Sequence, residues 1–385
     1  MQFQEVVESI RAEEASVAKL FGGDGQGVRN AKKSPQYLAK LGEAAAFVAD
    51  VYQGKRPTWH LKEALGTSDF SNLFGDILDR QLLANYLETP AVYRNFARVS
   101  TVPDFRTVKR FTLNGSEAVL PIVPQQAEYP ESSVTDGAYS YTVQKYGRRI
   151  GFSWEAMIDD DLDALKDIPA RFGRAARRSE SKFVTGLYID ASGPHASLYT
   201  VGNANKVTSN PVLSTAALQT AMKVLAAQRD ADSEPIFIDA MHLVVPPALE
   251  ITALNILNAL QMEVTESGGT SNQKLIAANW MKNRLTLSVD PYIPVVASTA
   301  NGDTTWAVFA SPSNGRPALE VGFLRGHESP EIFIKAPNTQ AAGSGSVDAM
   351  NGDFDTDSVT YKVRHVFGGT RMDPKMTVAS NGSGS

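Results

Sequence analysis

The sequence predicts an α+β fold built from several units, and three observations carry that expectation. The first 66 residues read as amphipathic helices. Two strand-like runs between Phe105 and Phe152 flank a proline-rich tip. Helical and strand-like stretches then alternate from residue 211 to residue 321. At 385 residues the chain can bury more than one core.

Within residues 1–66, Val6, Ile10, Val17 and Leu20 fall at helical spacing, and Phe21-Gly22-Gly23-Asp24-Gly25 supplies glycines that end the helix. A second helix is expected from about Pro35 to Tyr52, with Leu38, Leu41, Ala45 and Val48 on one face. Gly66-Thr67-Ser68-Asp69 opens a third, continued by Phe70, Leu73, Ile77, Leu78 and Leu82. From Val102 the texture is extended. Phe105 to Leu113 alternates in part, Asn114-Gly115 signals a turn, and Pro121, Pro124 and Pro130 keep the tip out of regular pairing. A returning strand is expected over Ala138 to Phe152. Strands this long with so few apolar residues need a surface to lie on, and the sequence shows no surplus apolar partner for them.

Ser153 can cap the next helix, with Glu155 in its first turn, and Pro169 suits the first turn of the helix after that. Phe172, Ala176, Ser179, Phe183 and Leu187 form its apolar face, while Arg171, Arg174 and Arg178 line another. From Pro169 to Asp190 it would span roughly 33 Å. Ser214 to Arg229 reads as a helix, Ile236-Phe237-Ile238 and Leu243-Val244-Val245 as short buried strands, and Pro247 as the start of a helix reaching about Leu260. Ser267 to Ser271 reads as a loop; Leu285–Val289 and Trp306–Ala310 as strands closed by proline-containing turns. Ile332–Lys335 and Val359–Phe367 are the last strands, Gly368-Gly369 ends the second, and Asn381 to Ser385 is tail-like.

The chemistry is largely one of exclusions. With no cysteine, disulfides, thiolate nucleophiles and cysteine-based metal sites are impossible. A net charge of -5 argues against a surface that grips nucleic acid tightly, without excluding contact with it. Met1 to Glu5 is polar and unlike a signal peptide, and the best apolar run, His242 to Leu260, is broken by Pro246-Pro247 and Glu250. A soluble product of a reducing compartment is therefore expected. His60, His195, His242, His327 and His365 show no metal-binding spacing and are expected at the surface or at interfaces. Asp159-Asp160-Asp161 fits the positive end of a helix dipole better than a cation site. Asp353-Phe354-Asp355-Thr356-Asp357 imitates half a calcium loop, but Ser358 replaces the required glycine and Arg364 the bidentate glutamate. Gly23-Asp24-Gly25-Gln26-Gly27 follows a helix and precedes no Gly-Lys-Ser/Thr, so it is not a phosphate cradle. No catalytic residue, cofactor site or metal site is expected.

Several stretches resemble the major capsid proteins of tailed bacteriophages, which share the Hong Kong 97-type shell fold. They are Thr67-Ser68-Asp69-Phe70; Tyr146-Gly147-Arg148-Arg149-Ile150-Gly151-Phe152-Ser153 with Asp160-Asp161-Leu162; Leu243 to Glu250; Asp290-Pro291-Tyr292; Leu324 to Glu331; and Tyr361 to His365 with Asp373-Pro374. Their order runs over residues 67–380. The resemblance implies an N-terminal helical segment (1–66), an N-terminal arm (67–102) and an extended β-hairpin loop (103–152). It further implies a peripheral domain with a long spine helix (153–210 and 322–380) and an α/β axial domain (211–321). It also implies a chain that self-assembles as hexamers and pentamers into an icosahedral shell enclosing double-stranded DNA without reading its sequence. The shell would be part of a virion assembled in the host cytoplasm, with scaffolding, portal and decoration proteins as further partners and no membrane.

On that reading Lys109, Arg110, Glu128, Lys145, Arg148 and Arg149 of the loop, and Arg171, Arg174 and Arg178 of the helix, are the expected inter-subunit contacts. The three helix arginines should meet carboxylates rather than phosphate, since Glu180 and Asp190 share their helix. Residues 1–66 are expected to stay in the finished particle, because they are short, broken by Gly22-Gly23, Pro35 and Gly54, and lack the heptads of a disposable rod. Two rival readings stand beside this one. One is an encapsulin-type cellular nanocompartment. The other is a hydrolase on the 211–321 unit, for which no nucleophile and base are visible.

Overall fold

A computed structural model describes residues 7–13, 34–57, 60, 64, 68–114, 122, 123, 125, 128, 129, 135–153, 162–230, 232–238, 241–266, 273–282, 284–336, 338 and 353–384. Its principal helices are α1 (residues 7–13), α2 (Pro35–Tyr52), α3 (Ser68–Glu88), α4 (Leu162–Tyr188), α5 (Thr215–Ala226) and α6 (Glu250–Asn258). The principal strands begin with β1 (Arg98–Val102), β2 (Val108–Asn114), β3 (Thr135–Tyr141), β4 (Gln144–Ser153), β5 (Met241–Val245), β6 (Gln261–Glu266) and β7 (Gln273–Ala278). They continue with β8 (Leu285–Val289), β9 (Trp306–Ala310), β10 (Leu319–Leu324), β11 (Glu331–Ile334), β12 (Ser358–Arg371) and β13 (Thr377–Ser380). The fold class is α+β, as the sequence predicts. The chain divides into two compact units, one of Met1–Pro90, Lys145–Arg178 and Gly326–Val366, the other of Ala91–Gln144, Ser179–Arg325 and Phe367–Ser385.

The first unit is built on the N-terminal helices. Ser34 caps α2 by accepting a hydrogen bond from the Tyr37 amide at 3.2 Å, and Gly54 beyond its end takes the left-handed conformation at φ 72°. The apolar faces of α1 and α2 (Val7, Ile10, Leu38, Leu41, Ala45, Val48) join Ile77, Leu78 and Leu82 of α3, Ile168 and Phe172 of α4, and Val359, Tyr361 and Val363 of β12 in one core. Each fully buried leucine in it contributes about 1.5–3 kcal/mol. Gly173 lets α4 approach α3 closely: a Cβ there would lie 2.5 Å from the Leu82 carbonyl oxygen. Strands β11 and β4 both pair with β12.

The second unit holds two separate pairing systems. In one, β1 runs parallel to β10, whose other neighbour, from Leu319↔Arg371 to Phe323↔Phe367, is the end of β12. In the other, the strand order is β8-β5-β9-β13. Helix α5 covers this sheet with Leu218, Ala221, Met222 and Leu225, against Leu243, Val245, Trp306, Val308 and Val378. Two longer hairpins, β2–β3 and β6–β7, and a short one that pairs Ile189-Asp190 with Gly193-Pro194 also belong to the unit.

Local expectations fail in five places. The returning strand over Ala138–Phe152 is two strands, interrupted at Thr142-Val143, and β4 finds its pairing partner within the chain in β12. Pro169 does not open a helix. It lies inside α4, which spans 27 residues, where burial of the adjoining Ile168, Ala170 and Phe172 offsets the roughly 3 kcal/mol cost of an interior proline. Ile236-Phe237-Ile238 is not a buried strand, and Phe237 is 85% exposed. Gly368-Gly369 continues β12 instead of ending it, because side chains there would strike the carbonyl oxygens of Thr142 and Glu320 at 2.3 and 2.6 Å. The tail docks: the Gly384 amide donates to the Asn210 carbonyl at 2.8 Å, and Thr304 Oγ1 to the Asn381 carbonyl at 2.7 Å. The expectations for Phe21–Gly27, Asp159–Asp161 and Ser267–Ser271 lie outside the described residues, as does the Glu155 turn.

Candidate assembly interface

The β2–β3 hairpin pairs from Val108↔Tyr141 to Asn114↔Thr135, so its two ends are about 20 Å apart. Its faces carry little that could form a core: Phe111 is 70% exposed, and further out Ile122 and Tyr129 are 96% and 82% exposed. The hairpin is held at its base by one buried carboxylate.

Glu320, on β10 between buried Leu319 and Val321, is fully buried. Its Oε1 accepts hydrogen bonds at 2.7 Å from Ser100 Oγ on β1, Tyr141 OH on β3 and Arg110 Nε on β2. Gly322, two residues on, makes room for the tyrosine: a Cβ there would lie 2.5 Å from Tyr141 OH. Burial pushes the Glu320 carboxyl up, but the bonds from Ser100, Tyr141 and Arg110 more than reverse this and hold it below the usual range. The same bond raises the Arg110 guanidinium, while burial raises the Tyr141 phenol. The four groups therefore form a charge-assisted clamp that fixes both hairpin strands to β10 and β1.

The structure separates the residues singled out from the sequence. Arg110 commits its Nε within the chain, whereas Lys109 of the same strand is exposed. Glu128, Lys145, Arg148 and Arg149 are also exposed. Arg171 and Arg178 are exposed on α4, and Arg174 donates from Nη1 to Asn85 Oδ1 at 3.2 Å. An arginine that the sequence does not single out is deeply engaged by the fold. Arg177 is buried, stacks 3.7 Å from the Tyr86 ring centroid and donates to the Tyr86 carbonyl at 3.2 Å. Glu180, expected to form ion pairs, is fully buried and accepts from the Tyr93 hydroxyl.

Glu320 was also missed, although a lone carboxylate in the apolar run Ala318-Leu319-Glu320-Val321 is a signal that a donor must be near.

His327, His365, Glu331 and Asp353 each have a structural neighbour in the fold, whereas the buried Nδ1 of His242 has no hydrogen-bond partner among the described residues. His327 Nδ1 and Arg364 Nη2 both meet Glu331 at 2.5 Å. His365 is buried, not at the surface, with its ring edge-on to Tyr86. Asp353 spends Oδ1 on the Thr356 and Ser358 amides and the Thr356 hydroxyl, and Oδ2 on Lys335 at 2.9 Å. Lys335 and that turn hold its carboxyl well below the usual range. Both carboxylate oxygens of Asp353 are thus engaged by donors of the chain itself. No described helix is long and apolar enough to cross a membrane.

A family model described as phage capsid protein matches residues 138–380. Among solved structures, one from Gordonia phage Cozz is 15% identical, covering 74% of this chain and 83% of that one, with a TM-score of 0.42. The capsid asymmetric unit of cyanophage Pam1 is 9% identical over 72% and 86% of the two chains, with a TM-score of 0.42. A virus-like particle from Pyrococcus furiosus is 12% identical over 79% and 97%, with a TM-score of 0.39. No curated protein matches.

Proposed function

The chain belongs to the phage capsid protein family, and from that premise we propose that it is the major head protein of a tailed phage. It builds hexamers and pentamers that close into an icosahedral shell around double-stranded DNA. The protein is a structural component of a virion and not an enzyme. The observation that carries the finer reading is the β2–β3 hairpin: it is clamped rigidly at its base by Glu320, yet displays Phe111, Ile122 and Tyr129 to solvent. Apolar side chains on a projecting, firmly held arm are satisfied by covering another copy, which couples assembly to folding. Many modest contacts repeated by symmetry then hold the shell.

In this reading residues 103–152 are the extended loop, 67–102 the N-terminal arm, 153–210 with 322–380 the peripheral domain, and 211–321 the axial domain. Residues 1–66 belong permanently to the subunit, which the burial of Val7, Ile10, Leu38 and Leu41 supports. The exposed Lys109, Lys145, Arg148, Arg149, Arg171 and Arg178 serve contacts between copies, with scaffolding, portal and decoration proteins as further partners.

Deleting residues 115–134 tests the arm. The variant should stay soluble and folded while its shells fail to form. Normal particles from it would end this reading of the hairpin.

A further inference from the structure

Asp290 follows β8 directly, lies within the second unit and is 5% exposed. Its amide donates to the Val245 carbonyl at 2.9 Å, which fixes the residue to the end of β5 as well. Oδ1 accepts from the Tyr292 amide at 2.8 Å. Oδ2 lies 2.5 Å from Tyr188 OH and 2.6 Å from Thr185 Oγ1, both on the last turn of α4. Those two side chains are buried, and the Tyr188 ring stands edge-on to Phe96 and Phe309. One carboxyl group therefore joins the end of α4 to the β8-β5 side of the sheet.

The groups around it do not balance a negative charge. No cation pairs with Asp290 among the described residues, whereas Glu320 has Arg110 against it. From α4 it faces the Tyr188 phenol, which burial and then the Asp290 charge push well above its ordinary range and keep neutral. Tyr199 lies near that phenol and is bonded to Thr377 Oγ1 at 2.9 Å. On the 92–95 turn, Asn95 donates to the neighbouring Ser288 hydroxyl, and Arg94 is exposed. A lone carboxylate in such surroundings is costly. Counting hydrogens points the same way. Thr185 Oγ1 also lies 3.0 Å from the Ser181 carbonyl, so one hydroxyl hydrogen faces two acceptors when Asp290 is ionised. A proton on Oδ2 removes the conflict. The acid then donates to Thr185 Oγ1, Thr185 donates to the Ser181 carbonyl, and Tyr188 still donates to Oδ2. Burial raises the Asp290 carboxyl above its ordinary 3.8, by more than the bonds from Thr185, Tyr188 and Tyr292 lower it.

We propose that Asp290 is a proton-operated latch: taking up a proton locks the last turn of α4 to the sheet, and losing it slackens that joint. The folded chain holds this proton more strongly than the unfolded one. The group therefore adds stability as pH falls through its folded value, an effect complete below 3.8. Glu320 has the opposite sign, since its contribution is lost in acid. One unit thus answers a fall in pH by slackening the base of its hairpin while firming the end of α4. The latch needs no contact between copies, so it stands apart from the shell reading.

Hydrogen exchange on the unassembled full-length subunit, corrected for the chemical pH dependence of exchange, tests it. Peptides covering 181–190 should gain protection as pH falls from about 7 to about 4, while those covering 108–114 lose it. Asp290→Asn keeps the side chain's shape and donates to Thr185 at every pH. It should slow exchange over 181–190 about tenfold at neutral pH and remove the pH dependence there. The wild-type profile is a readout that does not depend on the variant folding. Protection over 181–190 that stays level or falls toward acid, a variant with the wild-type profile, or faster exchange in the variant at neutral pH would each overturn the latch.

Discussion

Replacing Glu320 by Gln keeps the side chain's shape and removes its charge. Three donors converge on Oε1 at 2.7 Å. A hydrogen bond to a charged acceptor is worth about 1.5–3 kcal/mol net, against about 1 kcal/mol for a neutral one. Each of the two hydroxyl bonds therefore loses roughly 0.5–2 kcal/mol. The Arg110 bond adds only about 0.5 kcal/mol, because that side chain is 32% exposed and water screens it. Burying an amide in place of a carboxylate returns part of the loss. The net expectation is about 2 kcal/mol, or roughly 30-fold in the equilibrium for opening the hairpin base. Hydrogen exchange on the unassembled subunit reads this directly: peptides covering 108–114 and 135–141 should exchange about 30-fold faster, with those of α5 little changed. The charge also sets a pH window. The folded pKa of Glu320 is below its ordinary 4.5, so its contribution is complete above that pH and is lost as pH falls through the lower folded value. Wild type and variant should converge in acid. Hairpin protection within twofold of wild type at neutral pH, or a loss spread evenly over the unit, would refute the clamp.

Arg177→Ala removes a buried stack and a hydrogen bond, and should cost about 2–4 kcal/mol by denaturant unfolding. Arg178→Ala, at an exposed position on the same helix, should change stability by under about 0.5 kcal/mol; equal effects would contradict the assignment. His195 lies with Nε2 2.6 Å from Arg371 Nη2, and burial followed by that arginine lowers its pKa below 6.5, against a smaller upward pull from Asp190. The folded chain therefore binds this proton more weakly than the unfolded one, and stability should fall as pH drops below 6.5. Melting temperatures between pH 7.5 and 5.5 should fall more steeply for wild type than for His195→Gln, and parallel slopes would exclude the histidine as the cause.

What the sequence made legible was whatever is decided locally. Ser34 followed by Pro35, and Gly54 after the last turn, specify α2 within a few residues, and the apolar stripe of Leu38, Leu41, Ala45 and Val48 points to its buried face. The strands Leu285–Val289 and Trp306–Ala310 announce themselves by composition and by the prolines after them. Long-range partners were not legible. Nothing within 138–152 says that the chain changes pairing partner at Thr142-Val143, because that depends on β12 more than 200 residues away. Glycines at 368 and 369 look like punctuation until the carbonyls of Thr142 and Glu320 are known to press on them. The candidate interface divides in the same way. The exposed Lys109, Arg148 and Arg149 were visible as charges on a strand, but the clamp that aims the hairpin joins residues about 100, 110, 141 and 320, and only folding brings them together.

Electron microscopy of the purified full-length protein, with nuclease treatment of the particles before DNA extraction, tests the central claim most directly. The account predicts closed icosahedral shells showing five- and six-subunit capsomers, and, for particles from infected cells, double-stranded DNA that survives the nuclease. Closed shells that hold a protein cargo and no protected DNA would contradict the virion assignment. A monomer near 41.6 kDa under every near-native salt condition would contradict the shell itself.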